Sequence, residues 1–268
     1  MSGTGYVHGY GKREAERLLD QAGGLAGLLH HDTGYPPGAT VLEAGCGVGA
    51  QTVILAEKSP GAEITSVDIS PDSLARAEAS VSEAGYRNVR FRQADITRLP
   101  FPDDSFDHVF VCFVLEHLPD PMAALTELLR VLRKGGSITV IEGDHGSCYF
   151  HPETPAARTA WDGLVRAQAL LGGDSCIGRR VYPLLAQAGF GDVRVSPRLV
   201  YADGSLPEVA EAFVRKIIVP MVAGARQAAL REGLADAATF DAGLADLMRT
   251  AEPDGTFNYT FFKGTARK

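Results

Sequence analysis

In Glu43-Ala44-Gly45-Cys46-Gly47-Val48-Gly49 a carboxylate stands two residues ahead of three alternate glycines. Glycines let a backbone turn sharply and approach a ligand with no Cβ in the way, although loops of this composition also serve as plain turns. Nineteen residues past Gly49 comes Asp68, at the end of a strand-like run. A carboxylate there can accept from both hydroxyls of a sugar; capping the helix that Pro71 opens is the other reading. Ala94-Asp95-Ile96 offers a third carboxylate, able to accept from an exocyclic amine. Farther along, Asp144-His145 lies between Gly143 and Gly146. A carboxylate can hold an imidazole in one tautomer, making it a base or a substrate anchor, or the pair simply ties a loop. His117, Tyr149, His151 and Arg179 are further polar candidates; an arginine suits a carboxylate partner, but is equally often solvated or paired.

The elements that must position these groups follow from hydrophobic spacing. Ala15, Leu18, Leu19, Ala22, Leu25, Leu28 and Leu29 recur at helical intervals over 12–31. Strands are expected at 40–42, 63–68, 88–93, 106–113 and 137–141, with helices between them. Pro71 and Asp120-Pro121 mark helix starts, where a missing N–H costs nothing. Five strands alternating with helices predict a doubly wound α/β sheet, mostly parallel. Past Glu142 the pattern changes. A polar, aromatic stretch 144–175 holds a helix over 158–171, and 178–188 is another helix. Strand-like runs at 193–200 and 256–265 flank an Ala-rich helical region, 206–250. There Val209, Phe213, Ile217 and Met221 form a stripe at spacing four, and Pro220 predicts a kink.

The 268 residues carry 26 Lys and Arg against 33 Asp and Glu, net charge −7. No basic run is present, so the electrostatic footprint of a duplex binder is missing and a small substrate is expected. Cys46, Cys112, Cys148 and Cys176 form no CxxC pair and match no zinc spacing, so no metal is expected. Apolar stretches fall far short of the roughly 18 residues of a membrane span. A cytoplasmic protein without a membrane partner is the expectation; a homodimer is the assembly considered.

Residues 40–142 resemble the class I S-adenosylmethionine-dependent methyltransferases. The matching motifs are VLEAGCGVG, VDIS, QADITRLPFPDDSFDHVF, VLEHLPDP and LLRVLRKGG, in the family's order. The runs IEGDHGSCYFHP and YTFFKG are similar to prokaryotic small-molecule members of the type-11/25 group. The resemblance implies a seven-stranded sheet whose last strand is antiparallel, S-adenosyl-L-methionine as cofactor and S-adenosyl-L-homocysteine as product. It places Glu43, Gly45, Cys46, Gly47 and Gly49 at the methionyl part, Asp68 at the ribose and Ile69 on the adenine. Asp95 and Ile96 fall at the adenine edge, Cys112 and Phe113 at the methionyl amino group, and His117 in the histidine or aromatic position. It also implies an N-terminal segment over the cofactor, here Tyr6, His8 and Tyr10; an unstructured terminus is the alternative. One domain, 1–268, is expected: a helical cover 1–35, a cofactor core 38–143, a substrate-side segment 144–190 and a helical lid 206–250 between strands six and seven. His145, Asp144 and His117 are the catalytic candidates; Tyr149, His151 and Arg179 are the substrate candidates. The acceptor is expected to be a small molecule, with secondary metabolism a setting. An NAD-dependent oxidoreductase and a non-catalytic S-adenosylmethionine-binding protein are the alternatives.

Overall fold

The computed structural model describes residues 12–268. Along the chain run α1 (Lys12–Leu29), β1 (Thr40–Ala44), α2 (Ala50–Lys58), β2 (Glu63–Asp68), α3 (Pro71–Glu83), β3 (Val89–Gln93) and β4 (Phe106–Cys112). A 3-10 turn (Leu115–His117), α4 (Pro121–Val131), β5 (Leu132–His151), α5 (Pro155–Leu170), a second 3-10 turn (Ile177–Arg180) and α6 (Val181–Gln187) follow. Then come β6 (Gly191–Asp203), α7 (Pro207–Val209), a π-helix (Ala210–Ile218), α8 (Val219–Gly224), α9 (Arg226–Arg231), α10 (Ala237–Arg249) and β7 (Thr256–Arg267). The described residues form two compact units. One comprises 25–143, 177–198 and 261–268; the other 12–24, 144–176 and 199–260.

The first unit is built on the sheet, whose seven strands lie in the order β3-β2-β1-β4-β5-β7-β6. β1 pairs in parallel with β2 and β4, β2 with β3, and β4 with β5; the last strands are antiparallel. Gly135 N–H donates to Lys268 C=O and Lys268 N–H to Gly136 C=O, so two residues oppose one, as in a β-bulge, with Gly135 at φ +78°. β1 is buried along nearly all its length, as a central parallel strand covered on both faces must be. Leu42, Val109, Val111, Ile138 and Val140 meet Leu125, Leu128, Leu184 and Leu185 in one core. Sequence-marked starts hold the helices in place. Ser70 Oγ accepts from Ser73 N–H with Pro71 in the first turn, and Asp120 caps α4 ahead of Pro121.

The second unit packs α5 along α10. Its core is aromatic: Trp161, Phe213, Phe240, Phe257 and Tyr259 are all buried. Two features depart from the sequence expectations. β5, expected at 137–141, runs from Leu132 to His151, so the first part of the polar, aromatic stretch 144–175 is strand. Its Cys148 and Phe150 are buried while Tyr149 and His151 are exposed, the alternation of a half-covered strand. Before Pro220 the helix is wound as a π-helix, not merely kinked. An α-helix turns about 100° per residue, so residues four apart drift by about 40° at each step. The buried rows Phe213, Ile217, Met221 and Ala210, Val214, Ile218, Val222 repeat every fourth residue. Val219 N–H bonds Val214 C=O, five residues back.

Candidate functional site

The glycine loop leaves the C-terminal end of β1, and open α/β sheets bind ligands at that edge. Gly47 has φ +53°, a left-handed conformation, and no atom within 4 Å of where a Cβ would stand. Its N–H donates to Asp68 Oδ2 at 2.9 Å, while Asp68 Oδ1 accepts from Ser70 N–H at 2.9 Å. The end of β2 is thus bonded to the middle of the loop. Gly45 is required for a different reason: a Cβ there would lie 2.6 Å from Val114 Cγ2. Ile69, next to Asp68, is apolar yet 51% exposed.

Glu43 lies at the β1 end with 2% exposure. Thr52 Oγ1 donates to its Oε2 at 2.7 Å and Ser66 Oγ at 2.6 Å. Oε1 is buried without a hydrogen-bond partner. Burial pushes its pKa up to about 7; the two hydroxyls oppose the rise and the charge of Asp68 adds to it. Just past α1, His30 is also buried, with Nε2 2.8 Å from Gln51 Oε1 and its ring beside Phe110. Burial drives its pKa down to about 4, against the bond to Gln51.

At the end of β3, Asp95 is exposed and accepts from Thr97 N–H and Thr97 Oγ1, at 2.8 and 2.7 Å. Ile96 turns its side chain into the core, leaving only its backbone for a ligand. At the end of β4, Cys112 is buried, and burial raises its thiol pKa well above the usual value. Phe113 follows in the left-handed region, φ +58°, an uncommon conformation for a bulky residue. Its N–H bonds Ile141 C=O at 2.9 Å. His117 closes the 3-10 turn, with Nε2 3.6 Å from Glu116 Oε1. Arg179 is exposed on the second 3-10 turn. Tyr10, with Tyr6 and His8, lies outside the described residues.

In the second unit, His145 is 5% exposed. Its Nδ1 lies 2.7 Å from Tyr259 Oη, and its carbonyl accepts from Trp161 Nε1–H at 3.0 Å. Asp144 Oδ1 accepts from Gly146 N–H at 2.9 Å. Tyr259 is the partner that the sequence did not suggest, 114 residues away and brought in by β7.

Glu142 is the other group that sequence reasoning passed over. It is fully buried after the buried segment Ile138–Ile141, and its Oε1 accepts from Val114 N–H at 3.0 Å and Leu115 N–H at 2.8 Å. Burial, and next the charge of Glu116, raise its pKa well above the carboxylate range. The signal was present: a carboxylate inside an apolar strand is costly unless something binds it.

Residues 42–140 match the family model of a methyltransferase domain. That stretch is just over a third of the chain and is similar to a methyltransferase domain; the sheet order described above is that of a Rossmann-like, mostly parallel fold. Over 106 residues it is 37% identical to the demethylmenaquinone methyltransferase of Listeria monocytogenes, covering 39% of this chain and 45% of that protein. The chain thus matches less than half the length of this relative. Among solved structures, the cyclase SpnF aligns with 94% of this chain and 81% of its own, at 24% identity and TM-score 0.56. Phosphoethanolamine N-methyltransferase 2 of Haemonchus contortus, solved with phosphomonomethylethanolamine and S-adenosylhomocysteine, aligns with 96% of this chain and 56% of its own, at 16% and 0.58. At such identities the two structures bear on the fold alone. Among the described residues no helix is long and apolar enough to cross a membrane, and no group of three His, Cys, Asp or Glu could hold a metal.

Proposed function

We propose that this protein is a methyltransferase that uses S-adenosyl-L-methionine and acts on a small molecule. The observation that carries the reading is the bond between the glycine loop and the β2 carboxylate, with an exposed isoleucine beside it. A carboxylate has about four lone-pair sites, and the two bonds to Asp68 leave room for a ribose diol. Ile69 offers an apolar face to a purine, and the open side of Gly47 lets a ligand approach the backbone. Asp95 and the Ile96 backbone would address the adenine amine edge. Glu43 and the loop amides would hold the methionyl part, with the carbonyls of Cys112 and Phe113 at its amino group and His117 on the same side.

Bound S-adenosylmethionine supplies an activated methyl with its own leaving group. The protein's remaining tasks are to orient an acceptor and, where that acceptor bears a proton, to take it. His145 is the proposed base. In the tautomer in which Nδ1–H donates to Tyr259 Oη, Nε2 is the basic nitrogen. Asp144 would hold an acceptor amine or the loop around His145, and Tyr149, His151 and Arg179 would contact the acceptor. Residues 144–260, which carry most of these groups, lie beyond the family match at 42–140. The likeness to a demethylmenaquinone enzyme therefore supports the donor more than the acceptor. Net charge −7 supports a small acceptor over nucleic acid.

Calorimetry with S-adenosylmethionine, S-adenosylhomocysteine and NAD tests the donor assignment. Micromolar binding of the first two without NAD is expected; binding of NAD alone refutes it. Release of S-adenosylhomocysteine with an added acceptor then separates an enzyme from a binding protein.

A further inference from the structure

We infer that Glu142 is a positioning residue for the cofactor site, acting through the turn after β4 on Val114 and so on the glycine loop. The inference rests on the donor assignment above. The chain leaves β4 through Phe113 in the left-handed region, and Val114 follows at φ −121°, ψ −46°, outside both helix and strand. Only then does the 3-10 turn begin, closed by His117 N–H to Val114 C=O at 3.0 Å. The first amides of such a turn have no partner within it. Here the Glu142 carboxylate takes two in succession, those of Val114 and Leu115, through one oxygen. That oxygen belongs to the neighbouring strand β5, whose Ile141 is paired with Cys112.

The consequence reaches the loop because the Val114 side chain stands where Gly45 lacks one. Its Cγ2 and Cγ1 lie 2.6 and 2.9 Å from the site of a Cβ on Gly45. A carboxylate on β5 thus fixes a backbone, the backbone fixes a side chain, and the side chain bounds the loop expected to hold the methionyl group. The hydrogen bonds of Glu142 Oε1 go to the turn and not to the glycine loop. Its effect should appear as affinity for the adenosyl ligand, out of proportion to its effect on folding.

The test compares Glu142→Gln, Glu142→Leu and Val114→Ala in the full chain. S-adenosylhomocysteine affinity is measured by calorimetry, melting temperature by scanning fluorimetry and exchange of the Val114 and Leu115 amides by hydrogen-exchange mass spectrometry. Gln keeps an acceptor oxygen, so its Kd should stay within about threefold of the wild type; Leu should weaken binding at least tenfold and speed exchange at 114–115. If the Leu variant does not fold, Val114→Ala decides: it removes the contact with Gly45 and should weaken binding about three- to tenfold with little change in melting. Unchanged affinity in Val114→Ala, or Gln as impaired as Leu, overturns the inference. A wild type that fails to bind S-adenosylhomocysteine overturns the donor assignment instead.

Discussion

Glu43 and His30 should give the sheet-based unit two opposed pH dependences that hide one another, and replacing either residue should expose its neighbour's. Glu43 moves from an ordinary 4.5 to about 7 on folding. Between these values the folded state holds a proton that the unfolded state has lost. Stability from this group is therefore complete below pH 4.5 and is lost as pH rises to about 7. At about 1.36 kcal/mol per pH unit, the loss is about 3 kcal/mol. His30 runs the other way. Its pKa falls from 6.5 to about 4, so the unfolded state alone takes the proton there, and stability is lost as pH falls from 6.5 to 4, again by about 3 kcal/mol. The windows overlap from 4.5 to 6.5, where the slopes cancel. The assay is urea unfolding of the wild type, Glu43→Gln, His30→Gln and the double variant at pH 4.5, 5.5, 6.5 and 7.5. Relative to the wild type, Glu43→Gln should gain about 3 kcal/mol between pH 4.5 and 7.5, and His30→Gln should gain as pH falls. Gln keeps an acceptor for Thr52 and Ser66, so its absolute stability matters less than the slope. A Glu43→Gln curve parallel to the wild type refutes the reasoning.

Three further outcomes are expected. Asp68→Asn, which keeps the size of the side chain but loses its charge, should weaken S-adenosylmethionine binding about tenfold or more by calorimetry, in line with the roughly 1.5–3 kcal/mol of a hydrogen bond to a charged group. Gly49→Ala would place a Cβ 2.8 Å from Ala77 Cα at φ +83°; thermal unfolding should show a loss of about 2 kcal/mol or more, or no folded protein. Tyr259→Phe should leave donor affinity within about twofold but lower kcat about tenfold or more with an acceptor whose proton must leave, because His145 Nδ1 loses its partner; an unchanged kcat there would remove His145 as the base.

The parts legible in the sequence were those governed by local rules. Strand-like runs marked β1, β2 and β4, and the capped prolines at 71 and 121 marked the helix starts. The glycine loop and Asp68 could be placed because each sits at the end of such a run. Contacts that depend on distant strands could not. Tyr259 meets His145 because β5 extends beyond its apolar segment, and nothing in DHGSCYFH separates a strand from a polar loop. Glu142 was visible as an oddity, but its partners are backbone amides, which no side-chain pattern reveals. The spacing of four marked the stripe but not its winding, which was read as the commoner α-helix.

The place of β7 between β5 and β6 has a consequence for synthesis. As the chain emerges from a ribosome, β6 is complete at Asp203, while the strand that will flank it begins at Thr256. The intervening 52 residues, 204–255, take about 3–10 s to translate at about 5–20 residues per second. Throughout that interval β6 has no neighbour in the sheet, and its row of amides and carbonyls is open to any other nascent strand. The length of the helical insertion thus sets how long this strand is exposed to misassociation.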